Sequence, residues 1–84
     1  MAEEEVKNGV YKHFKGKFYQ VIGVARHSET LEEFVVYRPL YETEFGFGAL
    51  FIRPKEMFLE KVLVEKGERK DYVLRFEYLE NAEL

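Results

Sequence analysis

Hydrophobic residues occupy both faces of two neighbouring extended segments in the first half of the chain. In residues 18–27 the apolar side chains alternate between two faces, as Phe18, Ile22 and Val24 against Tyr19, Val21 and Ala25. A strand that is apolar on both faces lies inside a sheet rather than at a solvated edge. Residues 34–41 are rich in β-branched and aromatic side chains, which favour a second strand, and the polar residues between the segments predict a turn. The pattern predicts a long central β-hairpin.

The register of this hairpin depends on the length of its loop. A three-residue loop pairs Ser28 with Glu32 and places Gly23 opposite Tyr37. Leu31 then takes the third loop position, where a left-handed backbone costs a non-glycine residue about 1–2 kcal/mol. The sequence therefore predicts either strain at Leu31 or a different register.

The rest of the chain adds short strands and one helical turn. Strands are predicted at residues 9–14, 49–53, 59–65 and 72–78, with a turn at Gly16. Pro54 suits the first position of a helix and Glu56 its positive end, so residues 54–58 are predicted to form one turn. The predicted fold is all-β, a small SH3-like antiparallel barrel with one short helical turn near Pro54–Phe58, because closure removes exposed strand edges. An OB-like barrel and an open meander are the alternatives.

Length and composition allow one small domain. The chain has 84 residues, of which 46% are hydrophobic and 17% aromatic, which is enough for a compact core. We expect an acidic N-terminal tail at residues 1–8, a single small β-barrel domain at residues 9–79 and a C-terminal tail at residues 80–84. The chain contains no cysteine, which excludes disulfides, thiolate metal sites and a cysteine nucleophile.

The charge is unevenly distributed. The formal net charge is −3, but five acidic residues lie in the terminal segments, at Glu3, Glu4, Glu5, Glu80 and Glu83. Setting these five aside leaves 11 acidic residues against 13 basic ones, a nearly neutral body that argues against strong non-specific DNA binding but allows a local basic patch. No apolar run approaches the roughly 18 residues of a membrane-spanning helix, and the acidic first residues are unlike a secretory signal. We therefore expect a cytoplasmic location and no membrane partner.

Four motifs in the same order are similar to a known family. They are GVYKHFKG at residues 9–16, GVARHSET at 23–30, VVY at 35–37 followed by LY at 40–41, and RPKEMF at 53–58. Together they resemble a bacterial family of small domains catalogued as domain-of-unknown-function family sixteen fifty-three, over residues 9–64. The resemblance implies a compact all-β domain and no particular activity. The chain departs from the family pattern at Leu31, where glycine is expected, at Phe51, where tryptophan is expected, and in a longer loop at residues 45–48.

Three arginines lie in otherwise apolar strands, namely Arg26, Arg38 and Arg53. A charged side chain at such a position indicates either an ion pair or a binding role. Arginine beside tyrosine binds phosphate through two N–H groups or stacks on a base. The candidate binding residues are therefore Arg26, His27, Tyr37, Arg38, Tyr41 and Arg53. The alternative is that the arginines form internal ion pairs, such as Arg53 with Glu56 or Arg38 with Glu42, while their stems cover the core.

His27 lies near the tip of the hairpin beside Arg26. If Glu33 orients it, His27 has the chemistry of a general base, and Arg26 could hold an anionic substrate. The structural alternative is a turn network in which Ser28 and Thr30 bond backbone groups and Glu33 pairs with His27.

Other chemistry is weakly signalled. His13 is interpreted as a partly buried structural residue, and two histidines with scattered acids do not make a metal site. The chain has no phosphate-binding glycine loop and no nucleophile elbow. We therefore assign no catalytic residue, no metal and no cofactor.

Three functions remain open. The favoured one is a binding module for an anionic ligand, namely a nucleotide, an RNA segment or an acidic peptide. It requires that the three arginines share one exposed face with Tyr37 or Tyr41. The second is a small-molecule enzyme that uses His27 with a nearby glutamate. The third is a structural or oligomerisation domain in which Phe45 and Phe47 make a dimer contact; these phenylalanines otherwise fold onto the core or form a ligand-gripping flap. The expected partner is a nucleotide, RNA or a protein, and the chain is a monomer or a homodimer.

Overall fold

The computed structural model describes residues 5–80, which form seven strands and one short helix. In chain order these elements are β1 (Gly9–His13), β2 (Phe18–Arg26), β3 (Glu33–Pro39), β4 (Phe51–Pro54), α1 (Lys55–Leu59), β5 (Lys61–Lys66), β6 (Arg69–Leu74) and β7 (Phe76–Tyr78). Residues 1–4 and 81–84 of the two predicted tails lie outside the described residues. No helix between residues 5 and 80 is long and apolar enough to cross a bilayer.

The strands form two antiparallel sheets. Five of them make one sheet in the order β4-β3-β2-β1-β7, and the other two make a separate hairpin, β5-β6. The predicted all-β class is confirmed, and the predicted central hairpin is the pair β2-β3 in the middle of the larger sheet. The two-sided apolar pattern of β2 does not mean that both of its faces are buried, because Phe18 and Ile22 remain 44% and 45% exposed and only the face that carries Val21 is covered.

The predicted SH3-like barrel is not confirmed, because the described strands do not close. β4 and β7 end the larger sheet and do not pair with each other. Both edges are short, and β4 ends at Pro54, which has no N–H to donate to a further strand. The single strand predicted at residues 72–78 is also broken at Arg75, whose N–H donates to the Glu60 carbonyl while its own carbonyl accepts from Phe14. Arg75 thus joins the two sheets instead of continuing one.

The central hairpin adopts a register different from the predicted one. Tyr37 pairs with Val21 and not with Gly23, and a bulge at Ile22 separates these two residues of β2. Beyond the bulge Gly23 pairs with Val36, and the strands end at a loop of residues 28–31. Leu31 occupies the last position of this loop with φ at 65°, so the predicted left-handed strain is present as well.

The core lies on one face of the larger sheet, which we call the inner face. Its buried members are Tyr11, Val21, Val35, Tyr37, Phe58 and Phe76. Phe58 comes from α1, which confirms the predicted helical turn, and it stacks on Phe76 with ring centroids 4.2 Å apart. Only 1% of Phe58 is exposed, and burial of such a side chain contributes about 1.5–3 kcal/mol. The short helix therefore acts as the second layer that covers the inner face.

The loop between β3 and β4 leaves its two phenylalanines in solvent. Phe45 and Phe47 are 68% and 65% exposed, so neither is buried in the core. Phe45 touches the edge of Phe51 at a centroid distance of 6.2 Å, at the margin of the inner face. The loop therefore borders the inner face without filling it.

Candidate functional site

Arg53 lies on the inner face, among aromatic side chains. It pairs with Val35, which is completely buried on that face. Its Nε donates a hydrogen bond to the Tyr37 hydroxyl at 3.3 Å, and its Cζ lies 5.5 Å from the centre of the Phe76 ring. The hydroxyl is a neutral acceptor and the ring a neutral surface, so both orient the guanidinium without cancelling its charge.

The charge of Arg53 is not neutralised within the described part of the chain. Between residues 5 and 80, three other arginines form ion pairs, Arg26 with Glu33, Arg69 with Asp71 and Arg75 with Glu60. Over the same range, Arg53 has no carboxylate within 4.0 Å, and its terminal nitrogens make no hydrogen bond. The alternative ion pair of Arg53 with Glu56 is thus not formed. The side chain is only half-buried, so the forked donor pair remains available to an external anion.

Two further tyrosines lie beside Tyr37. The hydroxyl groups of Tyr19 and Tyr41 share a hydrogen bond, and the Tyr19 ring meets the Tyr37 ring edge to face at 5.7 Å. Burial, followed by the hydrogen bond with Tyr41, raises the pKa of Tyr19 well above its usual value, so its hydroxyl stays neutral. Lys17 Nζ lies 4.3 Å from the centre of the Tyr41 ring and adds a second cation to this side of the site.

His13 completes the arrangement at the end of β1. Its ring lies 4.9 Å from Phe76 and 6.1 Å from Tyr19. Nδ1 accepts the backbone N–H of Lys15 at 3.2 Å, which assigns the proton of the neutral ring to Nε2. Burial lowers the pKa of His13, and the positive charges of Arg75, Arg53 and Lys15 lower it further. Burial is the main cause of the lowered pKa, and the three cations add to it.

We call His13, Tyr19, Tyr37, Tyr41 and Arg53 the Arg53 site. Its members come from β1, β2, β3, β4 and the segment that follows β3, so four of the five strands of the sheet are needed to assemble it. The site offers a forked cation, neutral hydroxyl groups and aromatic rings, which can bind an anion and stack against a planar group. No group of three His, Asp or Glu side chains within residues 5–80 could hold a metal ion.

The structure brings three of the six predicted binding residues together and separates the others. Tyr37, Tyr41 and Arg53 belong to the Arg53 site. Arg38 lies on the opposite, outer face, where its Nε donates to Gln20 Oε1 at 2.7 Å and not to Glu42. The shared exposed face that the binding hypothesis required is therefore not formed by all three arginines.

Arg26 and His27 lie at the far end of the central hairpin and are engaged there. Arg26 forms an ion pair with Glu33 at 3.6 Å and donates to the Leu31 carbonyl at 2.9 Å. His27 Nδ1 accepts the backbone N–H groups of Glu29 and Thr30 at 3.1 and 3.2 Å. This agrees with a turn network, although Glu33 pairs with Arg26 and Lys55 and not with His27.

The neighbouring groove also gives His27 no substrate pocket. A groove of about 200 Å³ is lined by Arg26, Leu31, Glu32, Glu33, Lys55 and Glu56. His27 does not line it, and Glu33 is already held by two cations. The geometry therefore does not support a general base at His27 that is oriented by Glu33.

Sequence reasoning missed His13, Tyr19 and Lys17 as members or neighbours of the site. Tyr19 follows the inner-face alternation with Val21, and this pattern alone indicated a core residue. Its place beside Tyr37 and Tyr41 depends on the pairing of β2 with β3 and on the path of the following segment. No local signal in the sequence carries that information.

Comparison with known proteins places the chain in a family. The family model described as protein of unknown function DUF1653 matches residues 9–78. The chain belongs to the DUF1653 family. A crystal structure of a DUF1653 protein from Bordetella bronchiseptica is similar to it, with a TM-score of 0.74 and 32% sequence identity over 99% of each chain. No curated protein matches the chain. The resemblance expected from the four motifs is confirmed, and the match extends beyond residue 64 into β7.

Proposed function

We propose that this DUF1653 protein is a binding module for an anionic ligand that also carries a planar ring. This ligand is either a free nucleotide or one nucleotide of a single-stranded RNA segment. The observation that carries the proposal is Arg53, a half-buried cation that is oriented by the Tyr37 hydroxyl and has no carboxylate partner between residues 5 and 80. The cost of partly desolvating a charge is offset when an anion binds to it. The proposal concerns one face of the sheet only.

The surroundings of Arg53 favour a phosphate with a ring over a bare anion. The guanidinium provides two parallel N–H donors, which match two phosphate oxygens. Tyr41 is half-buried, and Phe45 is exposed at the margin of the same face through its contact with Phe51. Base–aromatic stacking contributes about 1–3 kcal/mol per base, so an exposed ring near a phosphate-binding group favours a nucleotide.

The test is an amide NMR titration with adenosine monophosphate, adenosine, inorganic phosphate and a short single-stranded RNA. We expect shifts at His13, Tyr37, Tyr41 and Arg53 with adenosine monophosphate or RNA that weaken as salt is added. Adenosine alone and phosphate alone should each bind more weakly, because each makes only one of the two kinds of contact.

Matched arginine variants make the test specific. Arg53→Gln should raise the Kd about tenfold or more, since a hydrogen bond to a charged group contributes about 1.5–3 kcal/mol. Arg38→Gln removes the same charge from the outer face and should change the Kd less than about twofold. Flat spectra at millimolar ligand, or equal effects of the two variants, would contradict the proposal. Binding of a glutamate-rich peptide in place of nucleotides would point to an acidic protein partner.

A further inference from the structure

The β5-β6 hairpin has two open edges within the described part of the chain. Its strands pair with each other and with no other strand of residues 5–80. Leu63, Tyr72 and Leu74 are 45%, 72% and 44% exposed, so the hairpin presents apolar side chains as well as unpaired backbone groups. A two-stranded hairpin is only marginally stable in water, and an open edge is a template for another strand.

The alternation of hydrogen bonds shows which backbone groups of β5 face the open edge. Arg75 N–H donates to the Glu60 carbonyl at 3.1 Å, in line with the pairing of Lys61 with Leu74. In an antiparallel ladder, hydrogen-bonded and non-hydrogen-bonded pairs alternate along the strands. The even-numbered residues of β5 therefore bond to β6, and the N–H and C=O groups of Lys61, Leu63 and Glu65 point away from it.

The sequence around this edge, EKVLVEK at residues 60–66, is complementary to itself in the antiparallel direction. If two copies pair about Leu63, Lys61 of each copy lies opposite Glu65 of the other, and Val62 lies opposite Val64. Glu60 likewise lies opposite Lys66 of the second copy. Each directly opposed charge pair thus has opposite signs, and the centre is apolar, which is the arrangement that stabilises cross-strand pairs.

The other open edges do not have this property. β4 has four residues and ends in Pro54, and β7 has three residues. In β6 the backbone groups of Tyr72 lie at the middle of the open edge. If two copies paired about Tyr72, Lys70 of each copy would lie opposite Leu74 of the other, and Arg69 of each copy would lie opposite Arg75 of the other. Short edges, proline and like charges all oppose strand addition.

We propose that β5 is a self-association edge at which a second copy of this chain pairs antiparallel about Leu63. The two hairpins then form one four-stranded sheet in the order β6-β5-β5-β6. On one face of that sheet, Leu63 and Tyr72 of both copies form a continuous apolar row, because these two residues already face each other within each hairpin. The Arg53 site takes no part in this contact.

Sedimentation equilibrium tests the proposal with charge-reversed variants over protein concentrations from about 10 µM to about 1 mM, a range that suits a weak interface. Lys61→Glu places like charges opposite each other twice in the dimer, and we expect the dimer Kd to rise about tenfold or more. Glu65→Lys should have the same effect. An equimolar mixture of the two variants should restore association as a heterodimer, because each chain then complements the other.

The control is Lys12→Glu, which makes the same charge change at an exposed position of β1. It should leave the dimer Kd within about twofold of the unmodified chain. A monomer throughout the concentration range would overturn the proposal, and so would equal effects of Lys61→Glu and Lys12→Glu. Loss of the dimer in Phe45→Ala/Phe47→Ala, with no effect of the β5 variants, would move the interface to the loop at residues 45–48. The mixture also distinguishes a charge effect from misfolding, because two unfolded variants could not form a heterodimer.

Discussion

The five-stranded sheet and the β5-β6 hairpin are built from similar residues but bury very different fractions of them. Every buried side chain of the core cluster belongs to the sheet or to α1. In the hairpin Leu63, Tyr72 and Leu74 are all exposed by more than 40%, although Tyr72 and Leu74 continue the alternation that leads to the buried Phe76. Burial therefore depends on whether a second layer covers the strand, and Phe58 of α1 covers the inner face of the larger sheet.

The two faces of the sheet give a second comparison, between Arg38 and Arg53. Neither has a carboxylate partner among residues 5–80, and each donates its Nε to a neutral side chain, Gln20 for Arg38 and Tyr37 for Arg53. Arg53 is surrounded by aromatic rings, whereas Arg38 lies close to the backbone of Gly48. Of these two arginines, only Arg53 thus lies over an aromatic ring.

The largest expected effect separates the core from the hairpin. Phe58→Ala should lower the free energy of unfolding by about 3–5 kcal/mol, because it removes the buried ring that stacks on Phe76. Tyr72→Ala, a matched aromatic deletion on the hairpin, should change it by less than about 0.5 kcal/mol. Urea unfolding of both variants measures the difference. Similar losses in the two would mean that the hairpin is packed as tightly as the core.

Amide hydrogen exchange should show the same division along the backbone. We expect opening free energies in β5 and β6 that are at least about 2 kcal/mol below those of β2 and β3, because a hairpin without a covering layer opens locally. If β5 pairs with a second copy, the amides of Lys61, Leu63 and Glu65 should become better protected as the protein concentration rises. Equal protection of both sheets in dilute solution would contradict the comparison.

A smaller effect is expected at the loop of the central hairpin. Leu31 has φ at 65°, a left-handed conformation that glycine adopts without the steric cost. Leu31→Gly should raise the free energy of unfolding by about 1 kcal/mol, since the exposed side chain contributes little packing. Thermal unfolding can be compared with Leu31→Ala, which retains a Cβ and should show no such gain.

The smallest effect is a pH dependence at the Arg53 site. Because the folded-state pKa of His13 is lowered from 6.5, the unfolded chain binds the proton more tightly. The contribution of neutral His13 to the free energy of unfolding is therefore fully present above about pH 6.5. It is lost as the pH falls from there through the folded-state pKa. His13→Gln should reduce the slope of the unfolding free energy against pH between pH 7 and pH 5. An unchanged or steeper slope would show that His13 is not held in its neutral form.

Local patterns predicted the elements well. The two-sided apolar pattern of residues 18–27 and 34–41 identified the central hairpin, and Pro54 with Glu56 identified the helical turn. Leu31 has the left-handed backbone that was one of the two predicted alternatives, although the loop has residues 28–31 and not the three residues assumed. These features depend on residues that are close in sequence, where alternation and backbone preference act directly.

Long-range features were not predictable in the same way. The register of β2 and β3 depends on a bulge at Ile22. Gly23 is a local signal of a bulge, but it does not specify which residues pair on either side, and a one-residue change moves side chains to the other face. Alternation along β3 already puts Arg38 and Tyr37 on opposite faces, whereas the pairing of β3 with β2 and with β4 decides that Tyr19 and Arg53 lie on the face of Tyr37. Arginine and tyrosine in apolar strands were a useful signal, but they could not reveal which of them would meet.

The sequence by itself determined that this DUF1653 chain forms short antiparallel strands, a central hairpin and one helical turn, because these follow from alternation, proline and turn residues. Only the tertiary structure decided that the strands divide into a covered sheet and an open hairpin. It also decided that Arg53 lies on the inner face of the sheet, beside Tyr37. The physical reason is that strand pairing and the placement of α1 are set by contacts between residues far apart in the chain, and a local pattern cannot specify these contacts.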